Sequence, residues 1–130
     1  MRLLLDTHVV LRIVNEQTTD LPTKLQSILA DPDCEFYVSV ASLWEIAIKW
    51  RLGKLEIPDG LEPLPGILSS AGLELILINE RHVLAAVHPE PMTRDPFDRL
   101  LLAQCSIEEL RLLTLDRALI SHTLAVRTGA

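Results

Sequence analysis

The stretch Arg2-Leu3-Leu4-Leu5-Asp6 opens the chain with a continuous apolar run that ends in an acid. The run does not alternate between apolar and polar residues, as a strand with one solvent-facing side would. It is therefore typical of a strand that is buried on both faces of a parallel sheet. In such a sheet the residue that follows the strand, here Asp6, stands at the edge where binding sites form.

The rest of the chain alternates between further strand-like and helix-like segments. Further strands are predicted over 35–38, 73–78 and 111–114, with a weak one over 124–127. Helices are predicted over 7–14, from Pro22 onward, and over 39–51, 61–71, 80–87, 95–109 and 117–122. Because no hairpin signals join the strands, this order predicts an α/β fold, with a parallel sheet sandwiched by helices in a single domain over 1–130.

The composition agrees with one domain that carries an excess of apolar residues. A chain of 130 residues buries about two-thirds of the surface of its unfolded form. Its hydrophobic fraction is 48% and its mean hydropathy is +0.27, so we expect some apolar surface to meet a partner. Cys34 and Cys105 have no metal-ligand spacing, and each is predicted to be a reduced core residue.

Charge and hydropathy patterns narrow the classes of function. The net charge is −6 with a pI near 5.1, which argues against a protein that coats nucleic acid through a broad basic face. An enzyme that holds nucleic acid locally, through a metal site and a few arginines, remains compatible with this charge. No apolar run reaches the length of a membrane span and no signal-peptide pattern opens the chain, so a cytoplasmic protein without membrane contact is expected.

A second informative stretch runs from Arg94 to Gln104 and opens with two acids three residues apart. Asp95 stands where a helix N-cap would, Pro96 at the first helical position and Asp98 at the third. The ordinary interpretation is helix capping, because free N–H groups and the helix dipole favour anions there. Read as a helix, however, the stretch also directs both carboxylates toward the same point beside the helix start.

Acids also stand near the carboxyl ends of the other predicted strands. Asp6 ends the first strand, Glu45 lies in the helix entered from the second, and Asp116 follows the strand over 111–114. If Asp98 projects toward the same edge, these acids form a cluster of four. For Glu45 there is a simpler alternative, a surface ion pair with Lys49 four residues later, off the apolar face predicted from Leu43, Ile46, Ala47 and Trp50.

Four carboxylates in one cleft cannot all stay ionised without a counter-charge. Hard divalent cations with oxygen ligands supply it, which points to Mg²⁺ or Mn²⁺ and to phosphoryl chemistry with an activated water. No serine or cysteine has the histidine and acid partners of a nucleophile. No glycine-rich phosphate loop is present, which argues against an ATPase or a dinucleotide enzyme.

Five segments together resemble the PIN-domain family, and most closely its VapC-type toxins. The segments are Leu3-Leu4-Leu5-Asp6-Thr7-His8, Ser42-Leu43-Trp44-Glu45-Ile46-Ala47-Ile48-Lys49, Gly53-Lys54-Leu55, Arg94-Asp95-Pro96-Phe97-Asp98-Arg99-Leu100-Leu101 and Leu113-Thr114-Leu115-Asp116-Arg117. They occur in order over nearly the whole chain. Each segment is weakly specific alone, but their order and spacing together are specific.

The resemblance implies an endoribonuclease with a compact parallel sheet that depends on Mg²⁺ or Mn²⁺. By position, the family's catalytic acids fall on Asp6, Glu45, Asp98 and Asp116, with Asp6, Asp98 and Asp116 as the metal ligands. The resemblance further implies a homodimer and a VapB-type antitoxin that wraps an apolar groove and blocks the site. One departure is Thr93, where relatives often carry a histidine, and this puts a substrate or supporting role of that position in question.

Residues beside the four acids have possible supporting roles. Asp95, Thr7 and Thr114 are predicted to cap a backbone or to hold a metal-bound water. Lys49, Arg99 and Arg117 are candidates for binding substrate phosphates, although Lys49 also fits a solvated helix face. Trp44 and Trp50 are read as core or interface residues rather than stacking platforms, and none of the four histidines has ligand spacing.

Two rival functions remain open at the level of sequence. The same four acids would serve a metal-dependent phosphoesterase or nuclease that acts on another substrate, such as small molecules or DNA ends. The second rival is a catalytically silent PIN-like module that works by binding protein. The presence of all four acids argues against a silent module, because no structural requirement calls for them together.

Overall fold

Strand β1 (Arg2–Leu5) lies inside the sheet, as its unbroken apolar sequence predicts. In the computed structural model, which describes residues 1–127, Leu3, Leu4 and Leu5 are completely buried. Their side chains alternate between the two faces of the sheet, because Leu3 and Leu5 join one apolar cluster and Leu4 joins the other. The first strand therefore connects both halves of the core.

Three further strands pair with this one or with its neighbour. They are β2 (Glu35–Ser39), β3 (Leu73–Ile76) and β4 (Arg111–Leu113), and the order across the sheet is β3-β2-β1-β4. Every pairing between these strands is parallel, with Leu4 opposite Tyr37 on one side and Leu112 on the other. The prediction of a parallel α/β sheet is confirmed. All four strands consequently end at the same edge.

Helices cover both faces of the sheet over the described residues. Their bounds are α1 (Thr7–Val14), α2 (Thr23–Leu29), α3 (Val40–Arg51), α4 (Leu64–Ser70), α5 (Glu80–Leu84) and α6 (Pro96–Glu108). Residues of α1, α2 and α4 pack in the cluster around Leu3 and Leu5, whereas α6 packs in the cluster around Leu4. None of these helices within residues 1–127 is long and apolar enough to cross a membrane.

Several predicted bounds were wrong for local physical reasons. The helix predicted over 61–71 begins at Leu64, since Pro65 lacks an N–H and is tolerated only in the first turn. The helix predicted over 80–87 ends at Leu84, after which Ala85 is extended and Val87 packs in the core. The strand predicted over 73–78 ends at Ile76.

The C-terminal segment differs most from the prediction. Residues 117–122 form turns rather than a helix, and the strand predicted over 124–127 is reduced to a single bridge between Leu112 and Ala125. The ring Nδ1 of His122 accepts a hydrogen bond from the N–H of Leu124, so a side chain satisfies a backbone group in place of regular structure. This bridge nevertheless covers the outer side of β4.

The two cysteines occupy different environments, and both are free thiols. Cys105 is fully buried in α6, and burial raises the pKa of its thiol to about 12. Cys34 is only partly buried at the rim of the core. The prediction of reduced cysteines is confirmed, and the prediction of a core position is confirmed for Cys105.

Candidate active site

Asp6 lies at the point where β1 ends and α1 begins. Its backbone N–H continues the sheet by donating to the carbonyl of Leu113 at 3.0 Å, and its carboxylate caps α1 by accepting from the N–H of Thr7 at 2.7 Å. The second carboxylate oxygen accepts a hydrogen bond from the hydroxyl of Thr114. Burial raises the pKa of Asp6 and the charge of Asp116 adds to this, while the hydrogen bonds oppose it.

Thr114 and Asp116 stand at the end of the neighbouring strand β4. The hydroxyl of Thr114 donates to Asp6 and accepts from the N–H of Asp116 at 3.0 Å. One oxygen of the Asp116 carboxylate accepts from the N–H of Ala118 at 2.8 Å, which stabilises the following turn. Thr114 therefore links the two acids through a single buried hydroxyl.

Glu45 lies on the buried face of α3, contrary to the prediction that it stands off the packed face. The buried residues of this helix are Ala41, Ser42, Glu45 and Ile46. The side chain of Glu45 is only 9% exposed, and its carboxylate accepts from Nζ of Lys49 at 2.8 Å. The predicted ion pair with Lys49 thus exists, but its acidic partner is buried rather than solvated.

Ser42 is a contributor that the sequence reasoning missed. It lies one turn before Glu45 and accepts a hydrogen bond of 2.9 Å from the hydroxyl of Thr7. Both hydroxyls are buried, and the bond joins the start of α1 to α3. The spacing Ser42-x-x-Glu45 was the available signal, since it places both residues on one helix face.

Asp95 is the N-cap of α6, as predicted. Its Oδ1 accepts from the N–H of Phe97 at 2.8 Å and, at 3.4 Å, from that of Asp98. Asp98 lies in the first turn and accepts from the hydroxyl of Thr93 at 3.2 Å. The two acids of this stretch therefore have different partners, one the backbone of the helix and the other a side chain that precedes it.

The pKa of Asp98 is raised to about 7. Burial is the largest cause, followed by the negative charges of Asp95, Asp6 and Asp116. The hydrogen bond from Thr93 acts in the opposite direction. Two of these charges belong to acids that follow neighbouring strands, Asp6 after β1 and Asp116 after β4, so the start of α6 lies near this edge of the sheet.

Thr93 is a second residue whose role the sequence left open. Its buried hydroxyl accepts from the N–H of Asp95 at 3.1 Å and donates to the carboxylate of Asp98. It thereby connects the capping acid with the neighbouring acid of the cluster. The departure from the relatives' histidine was the signal that marked this position.

The three predicted phosphate-binding cations have different surroundings. Lys49 is paired with Glu45, and the charges of Asp95 and Asp98 also help to raise the pKa of its ammonium. Arg117 is exposed next to Asp116. Arg99 instead binds the preceding loop, since it donates to the carbonyls of Thr93 and Pro91 and to the carboxylate of Glu90.

The oxygen donors at this edge fit Mg²⁺ or Mn²⁺ by their chemistry. They are carboxylates whose mutual repulsion a divalent cation would relieve, and hydroxyls of Thr114 and Thr93 orient two of them. Within residues 1–127, however, no three acidic, histidine or cysteine side chains already stand close enough together to hold a metal ion. Metal binding would therefore require these carboxylates to move closer together.

The fold and the site define a parallel α/β protein with an acidic cluster at the carboxyl edge of its sheet. A family model described as "PIN domain" matches residues 3–123. The chain therefore belongs to the PIN-domain family, whose members are generally nucleases. A search of curated proteins found no match.

The fold is also similar to that of a solved structure. A chain of a "Toxin-antitoxin complex from Klebsiella pneumoniae" superposes with a TM-score of 0.60. The two sequences are 18% identical, and the match covers 97% of each chain. At this level of identity the likeness concerns the fold.

Proposed function

We propose that this protein is an endoribonuclease that depends on Mg²⁺ or Mn²⁺ and serves as the toxin of a VapBC-type toxin–antitoxin pair. The observation that carries the proposal is the placement of three acids: Asp6 and Asp116 follow neighbouring parallel strands and are linked through the hydroxyl of Thr114, and Asp98 in the first turn of α6 is close enough for their charges to raise its pKa. Membership of the PIN-domain family supports the nuclease activity. The fold shared with a chain from a toxin–antitoxin complex supports the biological role.

In this proposal Asp6, Asp98 and Asp116 hold the metal, and Glu45 completes the catalytic set. When bound, the metal ion would activate a water and neutralise the scissile phosphate. The hydroxyl of Thr114 orients Asp6, because it is the donor that fixes one of its carboxylate oxygens. The carboxylate of Asp95 stays hydrogen-bonded to the helix backbone, so Asp95 supports the site without binding the metal.

The cations around the cluster have separate roles in the proposal. Lys49 and Arg117 bind the substrate phosphates. Lys49 is held near the site by its ion pair with Glu45, and Arg117 is exposed beside Asp116. Arg99 acts on the loop before α6, where its guanidinium already contacts two carbonyls. Its contribution would then be to place Thr93 and, through it, Asp98.

The test is cleavage of labelled RNA by the purified protein in EDTA and after addition of Mg²⁺ or Mn²⁺. We expect cleavage only with metal and its loss in Asp6→Asn, while Asp59→Asn, an exposed loop acid, cleaves normally. Calorimetric metal titration of both variants should show weaker binding only for Asp6→Asn. Cleavage by Asp6→Asn at the wild-type rate would contradict the proposed site. Absence of both metal binding and cleavage would favour the catalytically silent module.

The proposed partners are a VapB-type antitoxin and a second copy of the chain. Large apolar side chains are exposed on the described surface, among them Leu77, Leu84 and Met92, at 71%, 81% and 85%. Co-expression with the neighbouring reading frame, followed by light scattering of the purified product, tests both partners. A monodisperse monomer that does not bind the product of that frame would contradict the toxin assignment.

A further inference from the structure

Trp44 was predicted to be a core or interface residue rather than a stacking platform, but the fold leaves its large aromatic side chain exposed to solvent near the acids. It is 61% exposed although its neighbour Glu45 is buried. On the other side its ring meets Phe97 of α6, with centroids 5.5 Å apart and planes at 72°. Phe97 in turn stands between Asp95 and Asp98 along the chain, so the indole borders the site.

The geometry of this aromatic pair leaves a free π-face. In an edge-to-face pair, one ring presents its edge and the other presents a single face. Whichever role the indole takes, at least one of its faces is not covered by Phe97. Since Trp44 is 61% exposed, much of the indole outside this contact is open to solvent.

Two cationic side chains, Lys49 and Arg51, follow Trp44 in helix α3. Arg51 lies seven residues later, almost two full turns, so it shares a stripe of α3 with Trp44 at a distance of roughly 10 Å along the axis. It is exposed. Lys49 lies between them in the chain and is near Asp95 and Asp98, whose charges act on it.

An open aromatic face combined with nearby cations is the arrangement that binds single-stranded nucleic acid. Every base has a π-face that can stack on an indole, and the adjoining phosphates need a cation in a protein with an overall charge of −6. We infer that Trp44 is a base-stacking residue of the substrate site, which holds one unpaired base beside the scissile phosphate while Arg51 contacts a phosphate further along. This inference rests on the proposed ribonuclease function and makes its substrate single-stranded at the cut.

The same face could instead contact a protein. The setting of Trp44 favours nucleic acid, because the exposed residue that follows it on the same stripe of α3 is the cation Arg51, whereas Ala47 and Ile48, one turn after Trp44, are partly buried. Protein binding is therefore the outcome that the experiment has to separate from RNA binding.

Fluorescence tests the stacking directly and without cleavage. The chain has two tryptophans, so Trp50→Phe leaves Trp44 as the sole indole. Trp50 lies against the turn at Gly60, away from the pairing with Phe97, which makes this variant a suitable background. The protein is titrated in Ca²⁺ with a single-stranded RNA, with the same strand carrying abasic nucleotides, and with a duplex, and the strands are checked for integrity by electrophoresis.

We expect quenching by the single strand, little quenching by the abasic strand or the duplex, and about tenfold weaker binding for Trp44→Leu, the loss typical of one base stack. Trp44→Phe should retain most of the affinity because it keeps an aromatic face. In cleavage assays Trp44→Leu should raise KM with little change in kcat, and Arg51→Gln should reduce the salt dependence of binding by about one counterion.

Equal quenching by the abasic strand, or an unchanged KM in Trp44→Leu, would overturn the inference and leave the ribonuclease proposal standing. Quenching by the co-expressed partner but by no RNA would also overturn it and assign the indole to a protein contact. If the wild-type protein cleaves no RNA with any metal, the ribonuclease proposal fails. The fluorescence titration then still decides whether Trp44 stacks on a base.

Discussion

The hydroxyl of Thr114 donates a hydrogen bond to Oδ2 of Asp6, although 108 residues separate the two in the chain. The bond joins the ends of neighbouring parallel strands, and both partners are buried. Among residues 1–127, the other partner of this carboxylate is the N–H of Thr7. Thr114 is therefore the side chain that sets the direction of this carboxylate.

We predict that Thr114→Val lowers both stability and cleavage. The change keeps the volume but removes the donor to Asp6 and the acceptor for the N–H of Asp116. A buried partner left without a hydrogen bond costs about 1–3 kcal/mol. Urea unfolding and cleavage rates measure the two effects. Thr114→Ser keeps the hydroxyl and is the matched control, so a similar loss in the serine variant would contradict this explanation.

The acids of α6 should divide their roles. Asp95→Ala removes the helix cap and is expected to lower the free energy of unfolding by about 1 kcal/mol while leaving metal-dependent cleavage. Asp98→Ala should remove most cleavage at little cost in stability. Thermal melts and cleavage rates of the two variants, measured side by side, check this division. The reverse pattern would mean that the metal ligand is Asp95.

The metal-free protein should lose stability as the pH rises from about 4 to about 7. Asp98 has a pKa of about 7 in the folded protein against an ordinary value of 3.8, so over this range the folded state binds a proton that the unfolded state has released. The pKa of Asp6 is raised as well and acts in the same direction. Thermal melts in EDTA across this range measure the slope.

Asp98→Asn should flatten that slope, since it removes both the titrating group and the repulsion of Asp6 and Asp116. At pH 8 the variant should melt at a higher temperature than the metal-free wild type, whereas at pH 4 the two should be similar. Addition of Mg²⁺ should stabilise the wild type more than the variant. An identical pH slope in both proteins would show that Asp98 is not the group responsible.

His82 should matter for stability and not for cleavage. Its Nδ1 accepts from the N–H of Asn79 at 3.1 Å, so Nε2 carries the proton and donates to Glu108 of α6 at 2.9 Å. The ring is 2% exposed and fastens α5 to α6. His82→Phe keeps an aromatic ring but removes both hydrogen bonds, and since Asn79 is exposed and Glu108 is partly exposed, water can replace them, so we expect a cost of about 0.5–1.5 kcal/mol in urea unfolding. A large loss of cleavage under stabilising conditions would contradict this role.

The sequence alone predicted the fold well where local signals and packing agree. The unbroken leucines of β1 indicated a strand covered on both faces, and Asp95-Pro96 marked the start of α6 to the residue. Both signals depend on residues adjacent in the chain, where periodicity and capping are informative.

The sequence was less informative where the outcome depends on distant partners. Glu45 was expected on an exposed face of α3, yet it is buried together with Ser42. The face of a helix that becomes buried depends on the elements packed around it and not on the helix sequence alone. Arg99 was a phosphate candidate by its position next to Asp98, but loop carbonyls occupy its guanidinium. The segment 117–122 has helical composition, yet it forms turns, and the N–H of Ala118 at its start bonds to the carboxylate of Asp116.

The strand order β3-β2-β1-β4 has a consequence for the time at which this protein could become active during synthesis. A ribosome that has reached residue 110 has already made Asp6, Glu45 and Asp98, but not the strand that docks beside β1 or the residues Thr114 and Asp116. Without them Asp6 lacks its orienting hydroxyl and one acid is missing. If the protein is the ribonuclease proposed above, it would not cleave the messenger and the ribosome that produce it until the residues after 110 have left the ribosome and folded.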